Sequence, residues 1–208
     1  TYYPWVKIRD TVNSRDVWAP PSVVALGVMG YTEQRDEVWF APAGFNRGGL
    51  NEGNAGVPVL RASEQLLSAH RDTLYEANIN PIASFVSEGL VVFGQKTLQM
   101  TPSALDRVNV RRLLINIRRK VKRIANSLLF EPNREDTLNK FSAAVTPILT
   151  TIQQQQGLDR FKVHIDTSTT TQADVENNTI RGKIFLQPTR AVEFISLDFV
   201  VSNAGAEI

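Results

Sequence analysis

The chain has 208 residues, enough to bury the core of one large domain or two small ones, and its 42% hydrophobic and 21% charged residues are typical of a globular protein. It contains no cysteine, which excludes disulfides and thiolate metal sites, and no apolar run approaches the ~20 residues that cross a bilayer. The formal net charge is only +2, but eight of the 23 lysines and arginines lie within residues 107–123, so we expect a local basic surface on a mildly acidic body.

The first half of the chain is predicted to hold short strands, two helices and one long loop. Pro20 and Pro21 precede an apolar stretch in which Ser22 is a suitable N-cap. The predicted elements, in chain order, are a strand over residues 2–8, a polar turn, a helix over 23–35, a glycine-rich loop over 38–58, a helix over 63–76, and two short strands within 79–98. In the second of these helices, Leu66, Leu67 and Leu74 are expected to face inward. The opening TYYPWV has none of the features of a signal peptide, so we expect the sequence to be the interior of a longer polypeptide.

Two long helices are predicted next. Apolar periodicity indicates one helix over residues 103–129 and another over 133–157. The second begins at the N-cap Asn133 and ends at Gly157 as its C′ residue. Its interior contains Pro147, and a proline there costs ~3 kcal/mol or forces a kink.

Residues 109–123, NVRRLLINIRRKVKR, are the most heavily charged stretch and belong to the first of these helices. On a helical wheel the apolar positions form one stripe: Val110, Leu114, Ile117, Val121, Ile124 and Leu128. The opposite side is predicted to carry a basic ridge: Arg112, Arg119, Lys122 and Arg123. No acidic residue lies between Arg107 and Glu131, so like charges repel by ~0.2–0.5 kcal/mol a pair. A partner that neutralises the ridge is a reasonable inference.

The basic ridge has several possible interpretations. A solvated outer face is the simplest. Nucleic acid is a natural partner for such a helix, but no aromatic residue for base stacking lies between Phe93 and Phe130, and neither a helix-turn-helix turn nor a zinc-ligand spacing is present. A membrane surface is disfavoured because the apolar stripe lacks Trp and Phe anchors. An acidic protein surface fits best.

Residues that could carry catalysis are few. His70 lies within a predicted helix and His164 on a predicted strand, without the spacing of a metal-ligand pair. The acidic residues lie in turns or in the first turn of a helix, which disfavours the alternative of a carboxylate hydrolase, and the segment GGLNEGNAG lacks the ending of a phosphate-binding loop. We therefore predict a protein that is not an enzyme and has no metal or cofactor.

Three alternating segments close the chain and predict an antiparallel sheet: residues 161–166, 180–186 and 192–201, with Pro188 between the last two. Strands elsewhere are few and scattered, so their edges are exposed or paired with something outside this chain. The last segment can add to a neighbour's sheet through main-chain hydrogen bonds, and its predicted inter-subunit strand contains Phe194, Ile195, Leu197, Phe199 and Val201. We expect an α+β fold in which a small mixed or antiparallel sheet is flanked by helices, with its edges open to strands from neighbouring subunits.

Motifs spread over residues 2–201 resemble the contractile phage tail sheath proteins, specifically their C-terminal portion. The motifs are YYPWVKI, APPSVVALGVMG, VWFAPAGFNRGGL, INPIASF followed by FGQKTL, VNVRRLL, LFEPN and IFLQPTRAVEFISLDFV. Phe93 stands where the family often has Trp, and residues 118–123, RRKVKR, are more uniformly basic than expected. The sheaths of type VI secretion and of phage-tail-like bacteriocins share this architecture and remain alternative settings.

The resemblance implies a function. Residues 1–208 would form the C-terminal sheath domain of a subunit that stacks in hexameric rings around an inner tail tube, exchanges terminal strands with its neighbours and contracts without consuming nucleotide. The implied partners are other copies of the subunit, the tube protein, and baseplate and tail terminator proteins, with no direct nucleic acid and no membrane. The implied location is the tail sheath of a virion, assembled in the host cytoplasm. In this setting we expect the basic ridge to face the tube, and the isolated chain to be monomeric.

Overall fold

A computed structural model describes residues 1–51, 53–166 and 168–194, which form the α+β fold predicted from the sequence. The elements in this part of the chain are β1 (Tyr2–Tyr3), β2 (Val6–Asp10), β3 (Arg15–Ala19), α1 (Pro21–Arg35), β4 (Val59–Ala62), α2 (Ser68–Glu76), β5 (Asn80–Phe85), β6 (Gly89–Val92), α3 (Val108–Ser127), α4 (Glu135–Gln154), β7 (Leu158–His164), α5 (Gln172–Glu176) and β8 (Lys183–Pro188).

The described strands form three small sheets. In the first, β1 runs parallel to β5, and β5 and β6 form an antiparallel hairpin. In the second, β2 pairs antiparallel with both β3 and β4. In the third, β7 and β8 pair antiparallel with each other. The predicted hairpin within residues 79–98 and the predicted pairing of the two strands after α4 are both confirmed.

Two apolar clusters form the core. The first lies among α1, the first two sheets and the glycine-rich loop, and contains Val6, Val24, Val28, Leu50, Ile82 and Val92. The second lies between α3, α4 and the β7–β8 sheet, and contains Trp39, Leu113, Ile117, Val145, Leu149, Ile152 and Leu158. Trp39 comes from the long loop after α1, and its indole Nε1 donates a hydrogen bond to the carbonyl of Gln155 at 3.0 Å. This contact ties the first half of the chain to the second core.

The predicted strand over residues 2–8 is divided in two. Pro4, which has no amide hydrogen to donate to a ladder, lies between β1 and β2, and the two strands enter different sheets. The polar turn predicted after it contains a further strand, β3, which the sequence did not indicate because three of its five residues are charged or small. β3 is held to β2 in part by the ion pair between Arg9 and Asp16, with Nη1 and Oδ1 2.9 Å apart.

The predicted starts of the first two helices are also corrected. α1 begins at Pro21 with Pro20 as N-cap, not Ser22, because proline already has the backbone angle of a first helical residue. α2 begins at Ser68, since the amide of Ser63 donates instead to the carbonyl of Trp5 at 2.8 Å. As a result Leu66 is buried and Leu74 half-buried, as predicted, but Leu67 is exposed.

The N-termini of the two long helices also differ from prediction. α3 begins at Val108 and not at residue 103. The amide of Thr97 donates to the carbonyl of Asp106 at 2.9 Å, and the amide of Val108 donates to the carbonyl of Gln95 at 2.8 Å. These bonds hold residues 106–108 beside residues 95–97, so the chain before Val108 is not helical. Asn133 does not cap α4, since its side-chain Nδ2 donates to the carbonyl of Thr179 at 3.1 Å.

The C-terminus of α4 is also not the one predicted. α4 continues through Pro147 to Gln154, and the left-handed residue after it is Gln156, with φ of 62°. Gly157 serves packing instead, because a Cβ at this position would lie 3.0 Å from the Trp39 ring.

Candidate functional site: the outer face of helix α3 and the C-terminal segment

Helix α3 has the two faces that the sequence predicts. All six positions of the predicted apolar stripe are buried or half-buried, and Ile117, Val121 and Ile124 among them pack in the second core. Leu113, which the stripe did not include, is the most buried residue of the helix, at 1% exposed. The opposite face carries the exposed side chains of Arg118, Arg119, Lys122 and Arg123. The helix is therefore anchored on one side and presents cations on the other.

Three of the four predicted ridge residues remain available on the outer face. Arg119, Lys122 and Arg123, called here the exposed basic cluster, have no ion pair or hydrogen bond to any side chain in the part of the chain that the structure describes. Their mutual repulsion is uncompensated within residues 1–51, 53–166 and 168–194.

Arg112 does not belong to this exposed cluster, which corrects the predicted ridge. Its Nη2 donates to the carbonyl of Met29 at 2.8 Å and lies 3.2 Å from Oε2 of Glu33, so the guanidinium is bound to α1. The Arg112 side chain is only 13% exposed. Burial lowers the pKa of Arg112, and Glu33 partly offsets this effect. Arg112 joins two helices within the molecule.

The predicted inter-subunit strand lies mostly outside the described residues. Ile195, Leu197, Phe199 and Val201 are in that part of the chain, whereas Phe194 is described. Residues 192–194 belong to no strand, contrary to the prediction for this stretch. Phe194 instead packs its ring edge-to-face on Tyr75, with centroids 5.6 Å apart.

Glu193 binds the C-terminal segment to the body of the protein. Its Oε1 accepts from Nε of Arg107 at 2.6 Å, and its Oε2 accepts from Nη2 of Arg107 at 2.9 Å and from the Tyr75 hydroxyl at 3.0 Å. Burial alone would raise the pKa of Glu193, but the hydrogen bonds and charge of Arg107 outweigh it and hold that pKa below its ordinary value. Burial and the Glu193 carboxylate raise the pKa of Tyr75. Sequence patterns gave no signal for this contact, because its partners are 86 and 118 residues apart.

The β7–β8 sheet has open edges among the described residues. Each strand pairs only with the other in this part of the chain, so neither has a partner strand on its outer edge there. One main-chain group of β7, the carbonyl of Asp159, accepts instead from Nε2 of Gln153 at 2.8 Å. On β8, half-buried Ile184 and Leu186 alternate with exposed Phe185 and Gln187, as expected of a strand with one face on the core. A further strand could therefore be added to this sheet.

One group of side chains near the end of β7 superficially resembles a hydrolytic triad. Ser168 Oγ lies 3.3 Å from Nε2 of His164, and Asp166 Oδ2 lies 3.7 Å from Nδ1 of the same ring. However, the serine hydroxyl donates to Asp166 Oδ1 at 2.6 Å, so its proton is not directed at the histidine. The same hydrogen bond lowers the pKa of Asp166. The arrangement is that of a turn stabilised by an aspartate.

Among the described residues, no helix is both long enough and apolar enough to cross a bilayer. In the same part of the chain, no three side chains of His, Asp or Glu are grouped so that they could hold a metal ion.

Sequence comparisons support the resemblance carried by the motifs. The family described as phage tail sheath C-terminal domain matches residues 100–202. The tail sheath protein of Vibrio phage KVP40 is 35% identical over 198 residues, which cover 95% of this chain and 29% of that protein. The tail sheath protein of Enterobacteria phage T4 is 30% identical over 198 residues, with the same two coverages. The chain thus spans less than a third of the length of these curated relatives.

Solved structures agree with these relatives. The sheath complex of an extracellular contractile injection system, PVC, in its contracted state superimposes with a TM-score of 0.82 at 29% identity, covering 96% of this chain and 55% of that one. The helical sheath of the anti-feeding prophage in its contracted state gives a TM-score of 0.80 at 28% identity, covering 96% of this chain and 54% of that one. Both similarities extend over nearly all of the chain.

Proposed function

This chain belongs to the phage tail sheath family, and from that premise we propose that it is part of a structural subunit that polymerises with copies of itself into a contractile sheath. The observation that carries the proposal is the similarity over 95% of the chain to phage tail sheath proteins, together with a TM-score of 0.82 to a contracted sheath. We place the assembled subunit in the tail sheath of a virion, with assembly in the host cytoplasm. The sheath of a type VI secretion system or a phage-tail-like bacteriocin is the alternative setting.

The proposed mechanism is a change of contacts between nearly rigid subunits. Each subunit would rotate and move outward while its core stays intact, and contacts between subunits would be more favourable in the contracted sheath than in the extended one. The inner tube would be driven forward by this difference in free energy, without a catalytic step. Two well-packed apolar cores within the chain support rigid-body movement, because packed interiors deform little.

The exposed basic cluster is the proposed contact with the inner tail tube. Arg119, Lys122 and Arg123 project from an anchored helix, and no described acidic residue neutralises them. Charge pairs at an exposed surface are worth only ~0.2–1 kcal/mol each, so several together could hold the tube and still release it. The proposed contact does not include Arg112, because its guanidinium is bound to α1.

The β7–β8 edge is the proposed place of strand exchange. The alternating residues Ile195, Leu197, Phe199 and Val201 of one subunit would pair with a neighbour's sheet. This pairing would link subunits by main-chain hydrogen bonds that persist while the subunits rotate. Baseplate and tail terminator proteins would contact the two ends of the polymer.

A double charge reversal in the full-length protein tests the tube contact. We expect Arg119→Glu with Arg123→Glu to reduce sheath assembled on tubes at least about tenfold, because two attractive contacts become repulsive and ~1.4 kcal/mol is already a factor of ten. Negative-stain electron microscopy would count striated, tube-filled sheaths.

The matched control is Arg134→Glu with Lys140→Glu, which reverses one exposed cation at the N-cap of α4 and another within the helix. It should assemble normally. If the α3 variant forms normal extended sheaths, the proposed tube contact is wrong. If the wild-type protein forms no sheath under any condition, the proposed function is wrong.

A further inference from the structure

Residues 191–194 are held to the domain mainly by the carboxylate of Glu193 and only to a small extent by apolar packing. Glu193 accepts three hydrogen bonds, two from Arg107 and one from Tyr75. The apolar side chains on either side of it contribute little burial, since Val192 is 78% exposed and Phe194 is 74% exposed. Charge-assisted, bidentate hydrogen bonds are among the strongest in proteins, so this single residue accounts for most of the attachment.

The surface that receives Glu193 is itself rigidly built. Lys96 Nζ lies 3.3 Å from the centre of the Tyr75 ring and donates to the Tyr75 carbonyl at 2.7 Å, and these two contacts hold the tyrosine in place. Asp106 Oδ2 lies 3.2 Å from Nη1 of Arg107 and orients its guanidinium. Both groups are therefore positioned by neighbours in the body of the protein, independently of Glu193.

A cavity lies beside the attached segment. Its volume is about 480 Å³, and it is lined by residues 191–194 on one side and by Ala41, Ala43, Pro81 and Phe93 on the other. Apart from the ring contact between Phe194 and Tyr75, the segment is thus not packed closely against an apolar surface. Its displacement would expose little additional apolar area, so the free energy of release depends mainly on the polar contacts of Glu193.

We propose that Tyr75, Arg107 and Glu193 form a releasable latch that fixes the direction in which the chain leaves the domain after residue 194. Closed, it holds residues 191–194 against α2 and the start of α3. Open, it frees the exit of the chain while the body stays folded. The role of the latch in assembly rests on the proposed function, because the residues after 194 are those proposed to pair with a neighbouring subunit.

The charges around Glu193 predict an acid-sensitive latch. The groups that face it or its partners are Arg107 and Asp106 before α3, Tyr75 and Glu76 on α2, and Lys96. Because the pKa of Glu193 is lowered by its contacts, the attachment is complete above the ordinary pKa of glutamate and is lost as pH falls through the lowered value.

Limited proteolysis of the 208-residue chain tests the latch. Trypsin cleavage after Arg190 requires residues 191–194 to detach from the domain, so the cleavage rate follows the fraction of molecules in which the latch is open. We expect Glu193→Gln to accelerate this cleavage at least about tenfold, since a charge-assisted bidentate contact is lost, and Arg107→Lys to give a smaller acceleration because the charge remains. Glu88→Gln, in the exposed β5–β6 turn, is the control and should leave the rate unchanged.

Two outcomes would overturn the proposal. One is a cleavage rate for Glu193→Gln equal to that of Glu88→Gln. The other is an equal acceleration at every tryptic site, which would show general destabilisation and no local release. The proteolysis test uses unassembled protein, so a negative result contradicts the latch and does not bear on the sheath function. Conversely, if the full-length protein forms no sheaths, the sheath function is contradicted but the latch within the domain is not.

Discussion

Arg112 and Arg119 show that identical side chains on one helix face can have different roles. They are two turns apart on α3, and the sequence assigned both to one ridge. Only Arg112 lies opposite the second half of α1, where the Met29 carbonyl and the Glu33 carboxylate bind it. Arg119 is exposed and has no such partner among the described residues. Arg112 therefore contributes to folding stability, and Arg119 is free for a partner.

Truncation of these two arginines should separate the roles. We expect Arg112→Ala to lower the free energy of unfolding by about 1–3 kcal/mol, because the largely buried Arg112 side chain is removed and the half-buried Met29 carbonyl loses its donor. Arg119→Ala should change it by less than about 0.5 kcal/mol, as is usual for an exposed residue. Urea denaturation followed by circular dichroism measures both, and equal effects would contradict the assignment.

Helix α4 depends on its buried face, not on its helical propensity. It contains Pro147, whose missing amide hydrogen removes one main-chain hydrogen bond, yet the helix runs unbroken from Glu135 to Gln154. Val145, Leu149 and Ile152 are almost fully buried against α3 and β7 on the same face. Packing against the second core compensates for the proline.

A cavity-forming substitution tests this view. We expect Leu149→Ala to cost about 2–5 kcal/mol, the usual range for a fully buried leucine. Ile115→Ala, on the exposed side of α3, removes an apolar side chain of the same size and should cost less than about 0.5 kcal/mol. A comparable loss of stability in both variants, measured by thermal or urea unfolding, would show that the second core does not stabilise these helices.

Contacts between the two halves of the chain support the proposed movement of the subunit as one body. Arg112 joins α3 to α1, and Gln155 at the end of α4 binds the loop after α1 twice. Its carbonyl accepts from Trp39 at 3.0 Å, and its Nε2 donates to Glu37 at 2.7 Å. These contacts link the half of the chain that carries the mixed sheet to the half that carries the exposed basic cluster. A force applied at one surface would reach the other through them.

Binding to DNA would distinguish a sheath subunit from a nucleic-acid-binding module. We expect the chain to bind a labelled duplex only weakly and without saturation, because three exposed cations can neutralise few phosphates. This binding should be lost as the salt concentration rises from about 50 to 200 mM. Fluorescence anisotropy over a salt series measures this. Saturable binding at physiological salt that disappears in the Arg119→Glu, Arg123→Glu variant would favour the nucleic-acid function.

Local patterns were sufficient for several features of this protein. The β5–β6 hairpin, the two long helices, the apolar stripe of α3 and the α+β class all follow from periodicity and turn residues within a few positions of one another. The family was also evident from motifs distributed along the chain, and the comparisons confirm it. Such signals are carried by neighbouring residues, so no knowledge of the tertiary structure is needed to recognise them.

Other features depended on residues far apart in the sequence. The division of residues 2–8 between two sheets, the late start of α3, the attachment of Arg112 to α1 and the binding of Glu193 by Arg107 and Tyr75 each involve partners that only folding brings together. A helical wheel shows which side chains share a face, but not which other element covers that face. For this reason the sequence alone identified a basic helix in a chain that resembles phage tail sheath proteins, and the tertiary structure decided which of its arginines are free to bind a partner.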